Sequence, residues 1–314
     1  MSSLWLGWPS GTISVAGWGL YPCICEMNAI ISNSGGIYPQ SGMTDGGQMT
    51  RTAEDALADA VINLERAGFA GALHRWLSTQ CAYDNIVILA FFDDRGPEVM
   101  LAEANEARVF EKLETHYVAG AYVLDPFFGL HRNKAQDGLY RLAEIAPDQF
   151  QRNEFHATYY ERTTLIDEIV FFSRPVEGVS ITVCLGRDIS SGRKFSSRDR
   201  SRLEKIASVT NALVRHNWRG LTAKQGPEIA VSDQLRARLL TERTISLSPR
   251  QSEVALYILQ GHSSISIGLS LGISPQTVKV LRKQLYRKCN ISSQAELFAL
   301  LVPYLSGSKD HGLA

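Results

Sequence analysis

Residues 247–301 read LSPRQSEVALYILQGHSSISIGLSLGISPQTVKVLRKQLYRKCNISSQAELFALL, and this stretch resolves into four short helices. Ser248 before Pro249 is a capping hydroxyl followed by a ring that needs no N–H in a first turn, and Gln251 completes a capping box. Val254, Tyr257 and Ile258 then recur at helical spacing up to Gly261, a C-terminal stop. Ser274 and Pro275 repeat the start signal ahead of QTVKVLRKQLYRKC, where Val278, Leu281, Leu285 and Cys289 form one face and Lys279, Arg282, Lys283 and Arg287 the other. Ser293 with Glu296 predicts a further capping box and a last helix, AELFALL. The intervening SSISIGLSLGIS alternates with period two and taken alone predicts a strand. Gly261 to Pro275 leaves room only for a short helix between two capped ones, so a helix is expected.

A short helix crossing into a second one that is apolar behind and cationic in front is the plan of a helix-turn-helix, whose second helix enters the major groove. Charge agrees, because the stretch carries Arg250, Lys279, Arg282, Lys283, Arg287 and Lys288 against Glu253 and Glu296, while the whole chain of 314 residues is balanced at 32 cations and 32 carboxylates. Cations so placed neutralise phosphates, and side chains on the inward face read base edges. The bland alternative is a small helical core with a solvated basic face.

The segment resembles the C-terminal DNA-binding domain of the LuxR family, also called the FixJ/NarL type, along all four helices. The resemblance is carried by Leu247, Pro249, Arg250, Glu253 and Val254, by Gly261, Ile267, Leu271, Gly272, Ile273 and Ser274, and by Thr277, Val278, Lys279, Val280, Arg287 and Lys288. It implies a transcription regulator that binds double-stranded DNA, with Lys279, Val280 and Lys283 at the bases and Gln276, Thr277, Arg282, Arg287 and Lys288 completing the DNA-binding set. It further implies a homodimer, with Phe298, Leu300 and Leu301 of the last helix as the dimer contact and RNA polymerase as a further partner. Ile265, Ser266, Leu269 and Ser270 depart from the family pattern, which places charged residues in that helix to help hold phosphate.

The remainder bounds the function classes. A content of 45% apolar and 20% charged residues is ordinary for a chain of two domains. No apolar run approaches membrane length, so no membrane partner is expected. Five cysteines, Cys23, Cys25, Cys81, Cys184 and Cys289, are scattered and odd in number, suggesting neither a disulfide framework nor a metal site. Seven histidines show no metal spacing, and no nucleophile motif is present, so neither a cofactor nor an enzyme is expected. Residues 1–51 hold no basic signal-peptide start and are expected to be a disordered tail, or translated sequence upstream of a start at Met43 or Met49. The expected compartment is the cytoplasm.

From Thr52 to Trp218 the pattern predicts a sensing domain. EDALADAVINLERA and GALHRWLSTQCA predict helices before NIVILAFF, Asn85 to Phe92, an apolar run of strand length. Asp93-Asp94-Arg95-Gly96-Pro97 turns the chain into a returning strand, Glu98 to Glu103. That turn separates Asp93-Asp94 from the acidic pair of a phosphorylated receiver domain, in which a helix would follow. RVFEKLETHYVAG and FQRNEFHATYYER predict helices, and GLYRLAEIAP a brief strand. DEIVFFSRP and VSITVCLGR meet at Val176-Glu177-Gly178 as a tight hairpin, and SSRDRSRLEKIASVTNALVRHNW predicts a long helix. The expected class is therefore α+β: an antiparallel sheet sandwiched by helices, similar to GAF-type and autoinducer-type sensor domains, then a linker over 219–246 whose Leu235, Leu239 and Leu240 pack on a neighbour or on the sensor, an all-α domain over 247–305, and a tail from 306.

Such a domain implies a small-molecule effector, and the aromatic density supplies pocket candidates: Tyr117, Tyr122, Asp125, Phe127, Phe128, Tyr140, Phe155, Tyr159 and Tyr160. Tyr117, Tyr122, Asp125 and Pro126 resemble the aromatic residues and Asp-Pro of the LuxR family's autoinducer-binding domain, where the Asp takes a ligand amide. The tryptophans of that pattern are missing here, so only Asp125 is carried over. Two alternatives stay open: the aromatics are core and Asp125-Pro126 is a helix start, or the N-terminal domain binds a protein partner.

Overall fold

The computed structural model describes residues 52–160, 163–224 and 230–305. The expectations for 1–51, for the middle of the linker and for the tail from 306 lie outside them.

Among the described residues the protein is α+β, with a five-stranded antiparallel sheet in order β2-β1-β5-β4-β3. β1 (Asn85–Phe92) lies centrally because all eight of its residues are buried, as its continuous apolar run predicts. It pairs with β2 (Glu98–Ala104) through a bulge at Ile88/Leu89, and with β5 (Val179–Asp188) from Asn85↔Gly186 to Phe92↔Val179. β4 (Leu165–Val176) joins β5 through a turn in which Gly178 takes a φ of +74° that L side chains rarely adopt. β3 (Gly138–Arg141) closes the edge beside β4.

The strand alternation divides the sheet into two faces. Ile86, Ile88, Ile169, Phe171, Val183 and Leu185 point to the outer face, where they pack with Leu73 and Leu77 of α2 (Phe69–Gln80) and with Leu203 and Val214 of α5 (Ser197–Asn217). α1 (Ala53–Ile62) packs on α2 and is shorter than its spacing predicts, because Asn63 turns its amide back onto the Asp59 carbonyl at 2.8 Å and Glu65 takes a φ of 59°.

Val87, Leu89, Phe91, Val170, Phe172 and Cys184 form the inner face. Here two expected helices are corrected. RVFEKLETHYVAG becomes a 3-10 turn at Ala107–Val109 and a π turn at Leu113–Val118, and FQRNEFHATYYER becomes a 3-10 turn at Phe150–Arg152 and a π turn at His156–Tyr160. Phe150, Phe155, Tyr159 and Tyr160 must all turn inward, a spacing that 3.6 residues per turn does not supply. Between them run a 3-10 turn at Ala121–Leu124 and the short helices α3 (Pro126–Arg132) and α4 (Leu142–Ile145).

The C-terminal part is all-α. After α6 (Val231–Arg243) come α7 (Pro249–Gln260), α8 (Ser264–Leu271), α9 (Pro275–Cys289) and α10 (Gln294–Leu301). The Ser248/Gln251 box forms with both bonds, and Gly261 ends α7 at φ +93°. SSISIGLSLGIS is a helix, capped by Ser263 and stopped by Gly272 at φ +65°. The second expected box is only half made: Ser293 caps α10, but the Glu296 carboxylate takes the Ser292 N–H and hydroxyl at 2.8 and 2.9 Å instead. Leu235 and Leu239 of α6 are buried in the same apolar cluster as α7, whereas Leu240 is exposed.

That cluster runs on without a break into the inner face of the sheet, so the helical part is seated on the α+β part. The Gln149 N–H donates to the Gly261 carbonyl at 2.9 Å, the Asn153 amide to the Leu259 carbonyl at 3.2 Å, the Ser263 N–H to Asp148 at 2.9 Å and the Gln260 amide to the Val123 carbonyl at 3.1 Å. A Cβ on Gly261 would meet the Phe150 Cα at 2.8 Å and the Asn153 Nδ2 at 2.7 Å, so glycine is required by contact as well as by φ.

Candidate nucleic-acid interface and sensor chamber

The first candidate site is the outward face of α9. Val278, Leu285 and Cys289 are buried against α7 and α8, which turns Gln276, Thr277, Lys279, Val280, Lys283, Arg287 and Lys288 outward to solvent. Ser274 caps the helix through the Thr277 N–H at 3.0 Å. The crossing with α8 is close, since a Cβ on Gly268 would stand 2.7 Å from the Ile273 carbonyl. The expected set therefore stays together with one inward exception: Arg282 is half-buried, within 3.0 Å of the Tyr286 hydroxyl and 3.5 Å of the Gln294 carbonyl. Lys288 reaches the Ser246 carbonyl at 2.8 Å. On α8 the departures from the charged pattern are on the surface, Ile265 at 64% and Leu269 at 82% exposure. Of the three expected dimer residues, Leu301 is fully buried in its own domain's core, while Phe298 and Leu300 are half-buried at the surface of α10.

The second candidate site lies between the inner sheet face and the irregular turns. It is a small, partly open chamber of about 30 Å³ whose walls include Tyr117, Asp125, Tyr159, Tyr160, Glu168 and Cys184. Asp125 caps α3 through the Phe127 N–H at 2.8 Å, with Pro126 at the first helical position, and its other oxygen accepts the Tyr117 hydroxyl at 2.6 Å. It is thus a helix start and a chamber wall together. Burial pushes its carboxyl up to about 6 despite these bonds and that of Tyr160. Glu168 stands well above the usual carboxyl range, through burial first and the neighbouring Asp125 second, with Tyr160 and Cys184 as hydrogen-bond partners. The rings enclose these groups: Tyr117 and Tyr159 centroids are 5.3 Å apart, and Phe155 stacks on Tyr159 at 5.5 Å.

The expected pocket residues are divided by the fold. Tyr117, Asp125 and Tyr159 line the chamber, and Phe127 is buried behind Asp125. Phe128 lines a larger cleft of about 690 Å³ between α3, α6 and α7, which shares Asp125 with the chamber, and Tyr122 is set edge-on against Phe128 at 5.0 Å. Tyr140 sits on β3 with its hydroxyl on the Gln136 carbonyl at 2.8 Å and is not among the residues that line the chamber. Glu168, Cys184 and Asn85 were missed. Each lies on a strand the sequence marks, but the face it shares with Asp125 is set by the pairing of β1, β4 and β5. Asp93, the other acidic candidate, lies 3.1 Å from His131, whose Nδ1 is 2.8 Å from the Ser180 hydroxyl. This Ser-His-Asp line is sealed, since Ser180 is wholly buried and lines none of the clefts described.

A helix-turn-helix with a cationic outward helix, joined to an α+β domain, has the build of a DNA-binding transcription regulator. Residues 245–301 match the family of bacterial regulatory proteins, luxR family. The C-terminal part is a LuxR-family helix-turn-helix domain. The chain is 28% identical over 188 residues to an Aeromonas salmonicida protein described as an HTH-type transcriptional regulator in the exeN 3′ region, covering 58% of this chain and 94% of that relative. Among solved structures it is similar to the ligand-binding domain of VqsR from Pseudomonas aeruginosa, at 24% identity and a TM-score of 0.45 over 52% of this chain and 94% of that one. It is also similar to SdiA from Escherichia coli, at 17% identity and a TM-score of 0.31 over 82% of this chain and 94% of that one. The N-acylhomoserine lactone-dependent LuxR-family factor CepR2 from Burkholderia cenocepacia matches at 14% identity and a TM-score of 0.36, over 53% of this chain and 94% of that one.

Proposed function

We propose that the protein is a transcription regulator in which a small molecule held in the sensor's inner chamber controls how the helix-turn-helix reads the major groove. The observation that carries the DNA part is the outward face of α9, where Lys279, Val280, Lys283, Arg287 and Lys288 are exposed together while Val278 and Leu285 fix the helix from behind. Lys279, Val280 and Lys283 read bases, and Arg287 and Lys288 hold phosphates, while Arg282 braces α9 against α10. Lys283→Ala is expected to lose about 1–3 kcal/mol on operator and little on random duplex, whereas Arg287→Ala weakens both alike and reduces the salt slope by about one. Titration of both duplexes at several salt concentrations reads the difference, and equal losses for the two variants overturn the assignment.

The buried carboxyl and aromatic groups of the chamber, with the cleft of about 470 Å³ that shares Tyr159, support a small effector over a protein partner, which would need an exposed apolar surface. An effector exerts control only through different affinities for two arrangements of the chain. The wall segment Phe150–Tyr160 supplies the means: Tyr160 faces the chamber, and Phe150 and Asn153 grip the α7–α8 turn. Native mass spectrometry of the purified chain, looking for a retained molecule and a dimer together, tests both expectations.

A further inference from the structure

Asp125 and Glu168 face one chamber from different elements, Asp125 from the start of α3 and Glu168 from β4, each only 7% exposed. Among the described residues that line the chamber there is no Lys, Arg or His. Their partners are neutral: the Tyr117 hydroxyl, the Phe127 N–H, the Tyr160 hydroxyl and the Cys184 thiol. Buried carboxyl groups without a counter-charge either stay protonated or take a cation from outside. On their own, burial holds both groups toward the protonated form. The rest of the wall suits a cation, because the rings of Tyr117, Tyr159 and Tyr160 stand around the pair and aromatic faces attract positive charge. The space of about 30 Å³ matches a single water-sized group, which is the size of an ammonium head. Tyr159 is also a wall of a second cleft of about 470 Å³, lined by Arg108, Lys112, Thr158 and Thr163.

Resting on the sensor reading above, we propose that the effector is a primary amine whose ammonium head lies between Asp125 and Glu168, with the rest of the molecule reaching past Tyr159 into the outer cleft. Below about pH 6, where Asp125 still holds its proton, binding of the ammonium releases that proton to solvent, and above it the ammonium meets a carboxylate already formed. The titratable groups facing the pair are Tyr117 from the first π turn, Tyr159 and Tyr160 from the second, Asp167 from β4 and Cys184 from β5. None of them supplies a cation.

The test uses the full chain with hexylamine and tyramine, each against its N-acetyl counterpart, by titration calorimetry and thermal shift. The amines are expected to bind at least about tenfold more tightly than the acetylated compounds, and to gain at least about tenfold in affinity between about pH 5 and about pH 7 as the carboxyl proton becomes easier to release. Glu168→Gln should lose at least about tenfold in amine affinity, and Asp125→Asn, which keeps a capping oxygen, is read in the same way should the first variant fold poorly. Glu204→Gln, on the exposed side of α5 and outside every cleft described, should change little. Equal binding of the acetylated compounds, or affinity independent of pH, overturns the ammonium assignment and leaves small-molecule sensing standing. No binding by either series, with the chamber holding a buried water only, overturns the inference, and a molecule of another class retained in native mass spectrometry would then separate its failure from that of the sensor reading.

Discussion

At the scale of a residue, Asp125 carries two demands that oppose each other. As the cap of α3 it accepts the Phe127 N–H, and as a chamber wall it is buried where its charge is poorly hydrated, so its carboxyl rises to about 6. A folded value above the unfolded one means that the folded chain binds the proton more tightly. The stabilisation is therefore complete below about pH 4 and is lost as the pH rises through about 6. Across that window the ligand-free protein is expected to lose about 3 kcal/mol from this group, each tenfold change in proton affinity being worth about 1.4 kcal/mol. Asp125→Asn should abolish that part of the slope while retaining the cap. Urea unfolding of ligand-free protein at a series of pH values measures it, and an unchanged slope in the variant would show that Asp125 is not the group responsible.

Among the elements, those with strong local start and stop chemistry were legible before the structure. Ser248-Pro249, Gly261, Ser274-Pro275 and the run from Asn85 to Phe92 each define a boundary through backbone chemistry alone, and the helices and strand lie where those residues put them. The inner turns were not legible, because nothing local marks a π turn. His156–Tyr160 is held by rings packing on a sheet face that only the tertiary fold supplies. Glu168 was hidden for a related reason: DEIVFFSRP declares a strand, but which of its residues shares a chamber with Asp125 depends on the pairing with β5. One element-level prediction concerns the crossing of α8 and α9. Gly268→Ala should cost about 1–3 kcal/mol, since the added methyl meets the Ile273 carbonyl at 2.7 Å and must push the two helices apart. Thermal unfolding with DNA titration checks it, and full stability with unimpaired binding would mean that the crossing yields easily. A second concerns α10: Phe298→Asp should weaken self-association of the full chain in the ultracentrifuge, whereas Leu301, being core, should report on folding instead.

For the whole molecule, the consequential arrangement is the seat between the α+β part and the helix-turn-helix. Its bonds among the described residues come from one segment, Asp148–Asn153, together with the Val123 carbonyl. Asn153→Ala removes a buried donor from the Leu259 carbonyl and an acceptor from the His156 N–H, and Asp148→Ala removes the acceptor of the Ser263 N–H. The double variant is expected to loosen the seat by about 1–3 kcal/mol. Hydrogen exchange at 259–263 should rise by roughly ten- to a hundredfold while the core of β5 keeps its protection. Exchange that stays at the wild-type rate would mean that the apolar cluster alone holds the seat.

Gly261 gives this seat a consequence for anyone recombining the two halves. A chimaera that grafts a foreign reading head onto this α+β part inherits a socket cut to fit an absent side chain, and even alanine there would collide with Phe150 and Asn153. Swapping modules at the connecting segment is thus not neutral: the join is also a lock, and only heads that bring glycine to that notch will turn in it.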